Sequence, residues 1–176
     1  HCLAFQHSRG GQGVLVMGQL LANAAMLEGK AVSWYPSYGP EQRGGTCNCS
    51  VVVSETEIGS PIVSEPDAAI VMNRPSLDRF EPLIKPGGIL VYNTTLIDRE
   101  PRRSDIRVVG IPANAIADEL GNSRIANMVA LGAFLKISGL VSPDSISESL
   151  AKVLSERDHG LIPLNMQALE KGRAYQ

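Results

Sequence analysis

Two glycine-rich segments contain the residues whose types and spacing best suit binding chemistry. The first is Gly10-Gly11-Gln12-Gly13, and the second is residues 37–46, with the sequence SYGPEQRGGT. Glycines at the start of a helix let backbone N–H groups face an anionic group. Glycine also adopts backbone conformations that other residues avoid. Both segments are therefore candidate binding sites.

The second segment adds three functional side chains to its glycines. Tyr38, Glu41 and Arg43 offer a phenol, a carboxylate and a bidentate guanidinium, and Gly44 and Gly45 follow directly. Taken alone, the segment is also explained as a solvated loop. In an open α/β sheet, however, a segment after the second strand lies at the same carboxyl edge as the turn after the first strand. The two segments are thus predicted to converge on one edge of the sheet.

The first segment does not complete a nucleotide-binding motif. A dinucleotide fingerprint needs G-x-G-x-x-G/A and an acidic residue about 20 positions later. Here the final position of the motif is Val16, and the second strand ends in Trp34-Tyr35-Pro36. The P-loop pattern is absent as well. Three interpretations stay open: a tight turn between strand and helix, a surface for an acidic ligand or partner, and nucleotide binding.

The cysteines and histidines predict neither a catalytic residue nor a metal ligand. Cys47 and Cys49 are two positions apart, which puts both side chains on one face of a strand. We predict that they are core residues, and Cys2 with them. The histidines have spacings that suit neither a metal site nor a catalytic triad: His1, His7 and His159.

The composition limits the class of protein. A chain of 176 residues is predicted to form a single domain, residues 1–176. A net charge of −2 gives no electrostatic reason to expect nucleic acid or an anionic membrane as partner. Three cysteines favour neither a disulfide scaffold nor an iron–sulfur cluster. With no membrane span or signal peptide in the pattern, a cytoplasmic protein is expected.

Strands and helices alternate along most of the chain. Predicted strands cover residues 3–5, 31–35, 48–54, 67–72, 89–92 and 106–111. Predicted helices cover residues 14–28, 76–83, 115–120, 125–137, 143–154 and 165–171, and the very apolar fourth one is predicted to be buried between the sheet and another element. Several successive strands in the middle indicate an antiparallel part. The pattern predicts an α/β fold, a three-layer α/β/α Rossmann-like sandwich with a mixed, mostly parallel sheet.

Four motifs in order resemble the γ subunit of 2-oxoacid:ferredoxin (acceptor) oxidoreductases. They are GGQGV at residues 10–14, YGPEQRGGT at 38–46, IPANAIADELGN at 111–122 and NMVALGA at 127–133. The resemblance spans essentially the whole chain and is nearest to the 2-oxoglutarate type, with the 2-oxoisovalerate type next. One departure is that Ser8-Arg9 precede the first motif, where the family usually has a glycine, so phosphate binding there has less support.

The resemblance implies a complex that oxidatively decarboxylates a 2-oxoacid, forms an acyl-CoA and CO2, and passes electrons to ferredoxin. It implies that thiamine diphosphate and magnesium are bound by the α and β subunits, and that iron–sulfur clusters are bound by β or by a small δ subunit. This chain would bind no cofactor alone and would act as a structural and interface subunit. Its partners would be the α and β subunits, δ where present, and ferredoxin through the complex.

The resemblance also assigns a role to the two glycine-rich segments, whose residues would form the contact edge toward the catalytic subunits. The candidate residues are Gly10, Gly11, Gln12, Gly13, Tyr38, Glu41, Arg43, Gly44 and Gly45. Glu41 and Arg43 are interpreted as interface residues rather than as a catalytic acid and base. Two alternatives are a nucleotide-binding Rossmann-type oxidoreductase and a stand-alone binding module of the same fold.

Overall fold

A six-stranded mixed sheet forms the centre of the protein in a computed structural model, which describes residues 2–8, 12–38 and 46–175. The strands are β1 (Cys2–Ser8), β2 (Ala31–Tyr38), β3 (Thr46–Ser54), β4 (Ala68–Val71), β5 (Ile89–Asn93) and β6 (Arg107–Ile111). Their order is β2-β3-β1-β4-β5-β6. β1, β4, β5 and β6 pair in parallel, whereas β3 is antiparallel to both of its neighbours. The predicted mixed, mostly parallel sheet is confirmed.

Helices cover both faces of the sheet, but unequally. They are α1 (Gln12–Leu27), α2 (Arg74–Phe80), α3 (Ala113–Glu119), α4 (Ala126–Ser138), α5 (Pro143–Val153) and α6 (Ile162–Ala174). One face carries α1, α3 and α4, and the other carries the short α2. α5 packs on α1, and α6 packs on α4. The predicted α/β/α layering is therefore confirmed, with most of the helical mass on one side.

Several elements extend beyond their predicted ends. β2 continues to Tyr38 through Pro36, because β2 is an edge strand, where the missing N–H of a proline is tolerated. α6 begins at Ile162, with Pro163 in its first turn. In both elements the proline stands where its missing N–H leaves no hydrogen bond of the element unmade.

The helix α4 is almost wholly buried, as its apolar sequence predicts. Nine of its thirteen residues are buried, and it lies between the sheet and α6. The contact with α6 is made backbone to backbone. A Cβ atom on Gly132 would lie 2.0 Å from the carbonyl oxygen of Leu169, and one on Gly172 would lie 1.9 Å from that of Val129. Only glycine permits this approach at either position.

No helix among the described residues combines the length and the apolar character that crossing a membrane requires.

Candidate interface at the carboxyl edge of the sheet

The strands β1 and β2, which flank the two glycine-rich segments, end at one edge of the sheet. Ser8, the last residue of β1, pairs with Thr46 of β3, and Tyr38, the last residue of β2, pairs with Cys47. Neighbouring strands are about 4.8 Å apart, so the chain leaves β1 and β2 at points about 10 Å from each other. The backbone thus places the flanks of both segments together, as the sequence predicts.

The nine candidate residues are described to different extents. Gly13 lies in the first turn of α1, Gln12 is the first residue of that helix, and Tyr38 ends β2. The others lie outside the described residues: Gly10, Gly11, Glu41, Arg43, Gly44 and Gly45. For all nine, the interface role stays a prediction, and for these six it rests on where their flanking elements end.

A buried asparagine fixes the middle of the same edge. Asn93 ends β5, is 1% exposed, and donates from Nδ2 to the carbonyl oxygen of Met72 at 3.2 Å and to Oδ1 of Asn114 at 2.7 Å. Its Oδ1 accepts from the backbone N–H of Ala113 at 3.0 Å and of Thr95 at 3.3 Å. One side chain therefore ties the end of β4 to the end of β5 and to the start of α3.

A second asparagine joins α4 to the first glycine-rich segment. Asn127, the second residue of α4, donates from Nδ2 to the carbonyl oxygen of Gly13 at 2.9 Å. The first turns of α1 and α4 are therefore adjacent. A helix N-terminus carries a partial positive charge, so two adjacent N-termini make this edge favourable for an acidic group of a partner or ligand.

Sequence reasoning did not single out the asparagines of this edge. Asn114 and Asn127 belong to the motifs that resemble the family, but their types suggest no acid–base or metal chemistry. Asn93 had one local signal, since a polar residue directly follows the buried run of β5. Nothing local indicates that it bonds to residues about 20 positions away in both directions of the chain.

The cysteines of β3 are core residues, as predicted. Cys47 and Cys49 are free and buried, and the Cys49 thiol donates to the carbonyl oxygen of Val14 at 3.4 Å. Burial raises the pKa of Cys49 to about 12, and burial also raises the pKa of Cys47. Both thiols are therefore protonated at neutral pH and poor nucleophiles. Within the described ranges, no three His, Cys, Asp or Glu residues are grouped so that they could hold a metal ion.

A cavity of about 540 Å³ lies at the opposite edge, where β4 and β5 begin. Its wall includes Phe134 and Lys30, and the Lys30 ammonium donates to the carbonyl oxygen of Leu140 at 2.7 Å. The cavity is thus separated from the ends of β1 and β2 by the length of the strands. We place the candidate interface at the carboxyl edge rather than here.

The strand order disfavours the nucleotide-binding alternative. In a dinucleotide-binding Rossmann fold, the strand that carries the ribose-binding acid lies next to the first strand. Here β3 separates β2 from β1, and the last five residues of β2, Trp34 to Tyr38, include no acid. The geometry that the fingerprint requires is therefore missing from this sheet.

Comparison with known proteins identifies the family. The model of the family described as pyruvate ferredoxin/flavodoxin oxidoreductase matches residues 4–175. The chain belongs to this family, which confirms the resemblance seen in its four motifs.

The individual relatives are subunits of enzymes that act on named 2-oxoacids. The chain is 45% identical over 165 residues to the ketoisovalerate oxidoreductase subunit VorA of Methanothermobacter marburgensis, covering 93% of this chain and 34% of VorA. It is 33% identical over 167 residues to the 2-oxoglutarate synthase subunit KorC of Methanocaldococcus jannaschii, covering 93% and 87%. The chain thus spans about a third of the length of VorA and most of KorC.

A solved structure has the same fold over the whole chain. The crystal structure of the γ subunit of a keto/oxoacid ferredoxin oxidoreductase from Geobacter sulfurreducens superimposes with a TM-score of 0.82 at 27% identity. The match covers 98% of this chain and 95% of that one. The predicted likeness to a γ subunit is confirmed.

Proposed function

We propose that this chain is the γ portion of a thiamine-diphosphate-dependent 2-oxoacid:ferredoxin oxidoreductase. The complex would convert a 2-oxoacid and CoA to an acyl-CoA and CO2 and pass the electrons to ferredoxin. Membership of the family and the γ-subunit fold support this proposal. The observation that carries the role of this chain is the shared edge at which β1 and β2 end.

The proposed role of this edge is docking. Its described part offers backbone groups, two helix N-termini and amide side chains, which can bind a partner surface but cannot transfer a proton at neutral pH. The candidate residues, Gly10 to Gly13 and Tyr38, Glu41, Arg43, Gly44 and Gly45, would contact the α and β subunits. Arg43 and Glu41 would supply the charged contacts that orient the two surfaces.

The cofactors belong to the other subunits in this proposal. Thiamine diphosphate, its magnesium ion and the iron–sulfur clusters would be bound by α, β and, where present, δ. CoA would enter the assembled complex as a substrate. The complex would be cytoplasmic. Disulfides persist mainly in oxidising compartments, and the free thiols of Cys47 and Cys49 agree with a reducing one.

A branched 2-oxoacid is the first substrate to test. The chain shares 45% identity with a ketoisovalerate oxidoreductase subunit and 33% with a 2-oxoglutarate synthase subunit. The sequences of the motifs are most similar to those of the 2-oxoglutarate enzymes, whereas the identities over the whole chain are higher for the ketoisovalerate enzyme. Both acids, with pyruvate, therefore form the assay panel.

A pull-down from the source organism tests the proposed function. The tagged chain should co-purify with thiamine-dependent subunits, and the eluate should reduce a viologen dye when a 2-oxoacid and CoA are both added. Recovery of the chain as a homo-oligomer without viologen reduction would instead favour the stand-alone binding module. Tight binding of NAD to the isolated chain, measured by calorimetry, would favour the nucleotide alternative.

Replacing Arg43 with alanine should weaken assembly. Arginine is enriched among the interface residues whose truncation costs about 2 kcal/mol or more, so the dissociation constant of the complex should rise about thirtyfold. Subunit association is measured by native mass spectrometry over a dilution series, and 2-oxoacid turnover is measured in parallel.

Arg157→Ala is the matched control for Arg43→Ala. The side chain of Arg157 is 88% exposed and lies in the short helical turn before α6. Its removal deletes the same charge outside the two glycine-rich segments and should change neither readout. Equal assembly of Arg43→Ala and Arg157→Ala would refute the role of Arg43.

A further inference from the structure

Asn127 makes a long-range bond that the proposed function does not yet use. Its Nδ2 lies 2.9 Å from the carbonyl oxygen of Gly13, and the two residues are 114 positions apart in the sequence. A Cβ atom on Gly13 would lie 3.6 Å from Cγ of Asn127. The first turn of α4 is therefore joined to the first turn of α1 by a hydrogen bond, and a side chain at position 13 would lie in van der Waals contact with Asn127.

The contact joins a buried helix to the start of α1. α4 is buried along most of its length and is packed against α6 through Gly132 and Gly172. Gly13 is the second residue of α1 and the last residue of the first glycine-rich segment. The bond therefore runs from a packed core helix to the first turn of α1.

Asparagine has the chemistry that this position requires. The acceptor is a carbonyl oxygen, so the side chain must donate, and a carboxylate in its place would face the oxygen with like partial charge. Asparagine is also a weaker helix former than alanine. A helix that needed only stability at its second residue would gain nothing from it, which points to the bond itself as the function.

We propose that Asn127 is a positioning residue that sets the first turn of α1 in the geometry that docks on the catalytic subunits. The inference rests on the proposed function of the chain as the γ portion of the complex. Asn127 need not touch the partner or the substrate, because it acts through Gly13.

The test compares Asn127→Asp with Asn127→Gln in the complex purified from the source organism. The aspartate variant is nearly isosteric but loses the donor, whereas the glutamine variant keeps an amide donor. We expect at least a tenfold rise in the dissociation constant of the complex for Asn127→Asp and a partial recovery for Asn127→Gln. Hydrogen exchange of the isolated chain should show faster exchange confined to the first turns of α1.

Asn23→Asp is the control for the added charge. Asn23 is half-buried on the same helix α1, three turns from Gly13, and lines a shallow groove beside β2. This variant should assemble like the wild type. If Asn127→Asp assembles as well as Asn23→Asp, or if its exchange pattern at α1 is unchanged, the inference is wrong.

The outcomes also separate this inference from the function on which it rests. If the wild-type chain assembles and Arg43→Ala weakens the complex while Asn127→Asp does not, the positioning role fails and the docking function stands. If the wild-type chain assembles with no thiamine-dependent subunit, both fail. Should Asn127→Asp not fold, Asn127→Ser, a shorter side chain that seldom reaches the same acceptor, gives the same comparison.

Discussion

Replacing Gly172 with alanine should destabilise the protein by about 3 kcal/mol or more. The new Cβ would lie 1.9 Å from the carbonyl oxygen of Val129, closer than any real contact, and 3.1 Å from the backbone nitrogen of Ala133. The obstructing atoms belong to the backbone of a helix, so no side-chain rotation relieves the overlap. α4 and α6 must move apart, which opens space along their whole interface and costs more than ordinary overpacking. Urea denaturation followed by circular dichroism measures the loss.

Gly160→Ala is the matched control for this substitution. A Cβ on Gly160 would have no heavy atom within 4 Å, and the residue lies in the short helical turn before α6. Its replacement should change the free energy of unfolding by less than about 0.5 kcal/mol. The partner position offers a second check, because a Cβ on Gly132 would lie 2.0 Å from the carbonyl oxygen of Leu169. A stable Gly172→Ala protein with an unchanged urea midpoint would contradict this account of the helix contact.

The sequence specifies the local elements of this fold well, because each depends on neighbouring residues. The small and apolar residues at helical spacing in α1 predict one buried face, and Val14, Leu21 and Ala25 are buried there. The Ser142-Pro143 pair predicts the start of α5, and Ser142 Oγ accepts from the Ser145 N–H at 3.1 Å. Capping and periodicity act within a few residues, so a single sequence is enough to recognise them.

What the sequence does not specify are the contacts between distant segments. The insertion of β3 between β1 and β2 depends on which edges pair, and no local pattern encodes that choice. The contact of Gly132 with α6 joins residues tens of positions apart, and the contact of Asn127 with Gly13 joins residues 114 positions apart. The glycines of the candidate interface are recognisable from the sequence because they are clustered. Its asparagines are recognisable only from their long-range hydrogen bonds in the folded chain.

A buried carboxylate stabilises the face of the sheet that carries only the short helix α2. Glu81 follows α2, is 3% exposed, and accepts a hydrogen bond from Arg99 Nη2 at 2.9 Å. Its other oxygen accepts from the backbone N–H groups of Arg102 and Arg103. The guanidinium of Arg103 donates hydrogen bonds to the carbonyl oxygens of Glu81 and Ile84. The segment that leads into β6 is thereby fastened to the end of α2.

Replacing Glu81 with leucine should therefore destabilise the protein by about 3 kcal/mol. The substitution removes the partner of a guanidinium that is only 14% exposed and leaves two backbone N–H groups without their acceptor. The neighbouring Asp78, 2.7 Å from Arg99, limits the loss because it still pairs with the guanidinium. Thermal and urea unfolding measure the effect, and Glu57→Leu, at an exposed position, should have little effect.

The same carboxylate predicts how stability depends on pH. Burial raises the pKa of Glu81, but the hydrogen bonds from Arg99 and from the backbone of Arg103 and Arg102 outweigh burial, so the pKa lies below its ordinary value. A carboxyl group with a lowered pKa stabilises the fold above its unfolded-state pKa of about 4.3 and loses this contribution as the pH falls through the folded-state pKa. The stability gap between wild type and Glu81→Gln should thus be constant from pH 6 to 8 and narrow below about pH 4.

Urea titrations at steps from pH 7 to pH 3 measure that gap, and Glu57→Gln should follow the wild type throughout. Asp78 and Asp105 also have lowered pKa values and share Arg99 and Arg103 with Glu81, so any change that Glu81→Gln causes in their titration is part of the measured gap. A gap that stays the same down to pH 3 would show that Glu81 acts by shape alone. A gap that closes on acidification would show that the charge of one buried carboxylate fastens residues 99–105 to α2, on the face of the sheet that has the fewest helices to hold it.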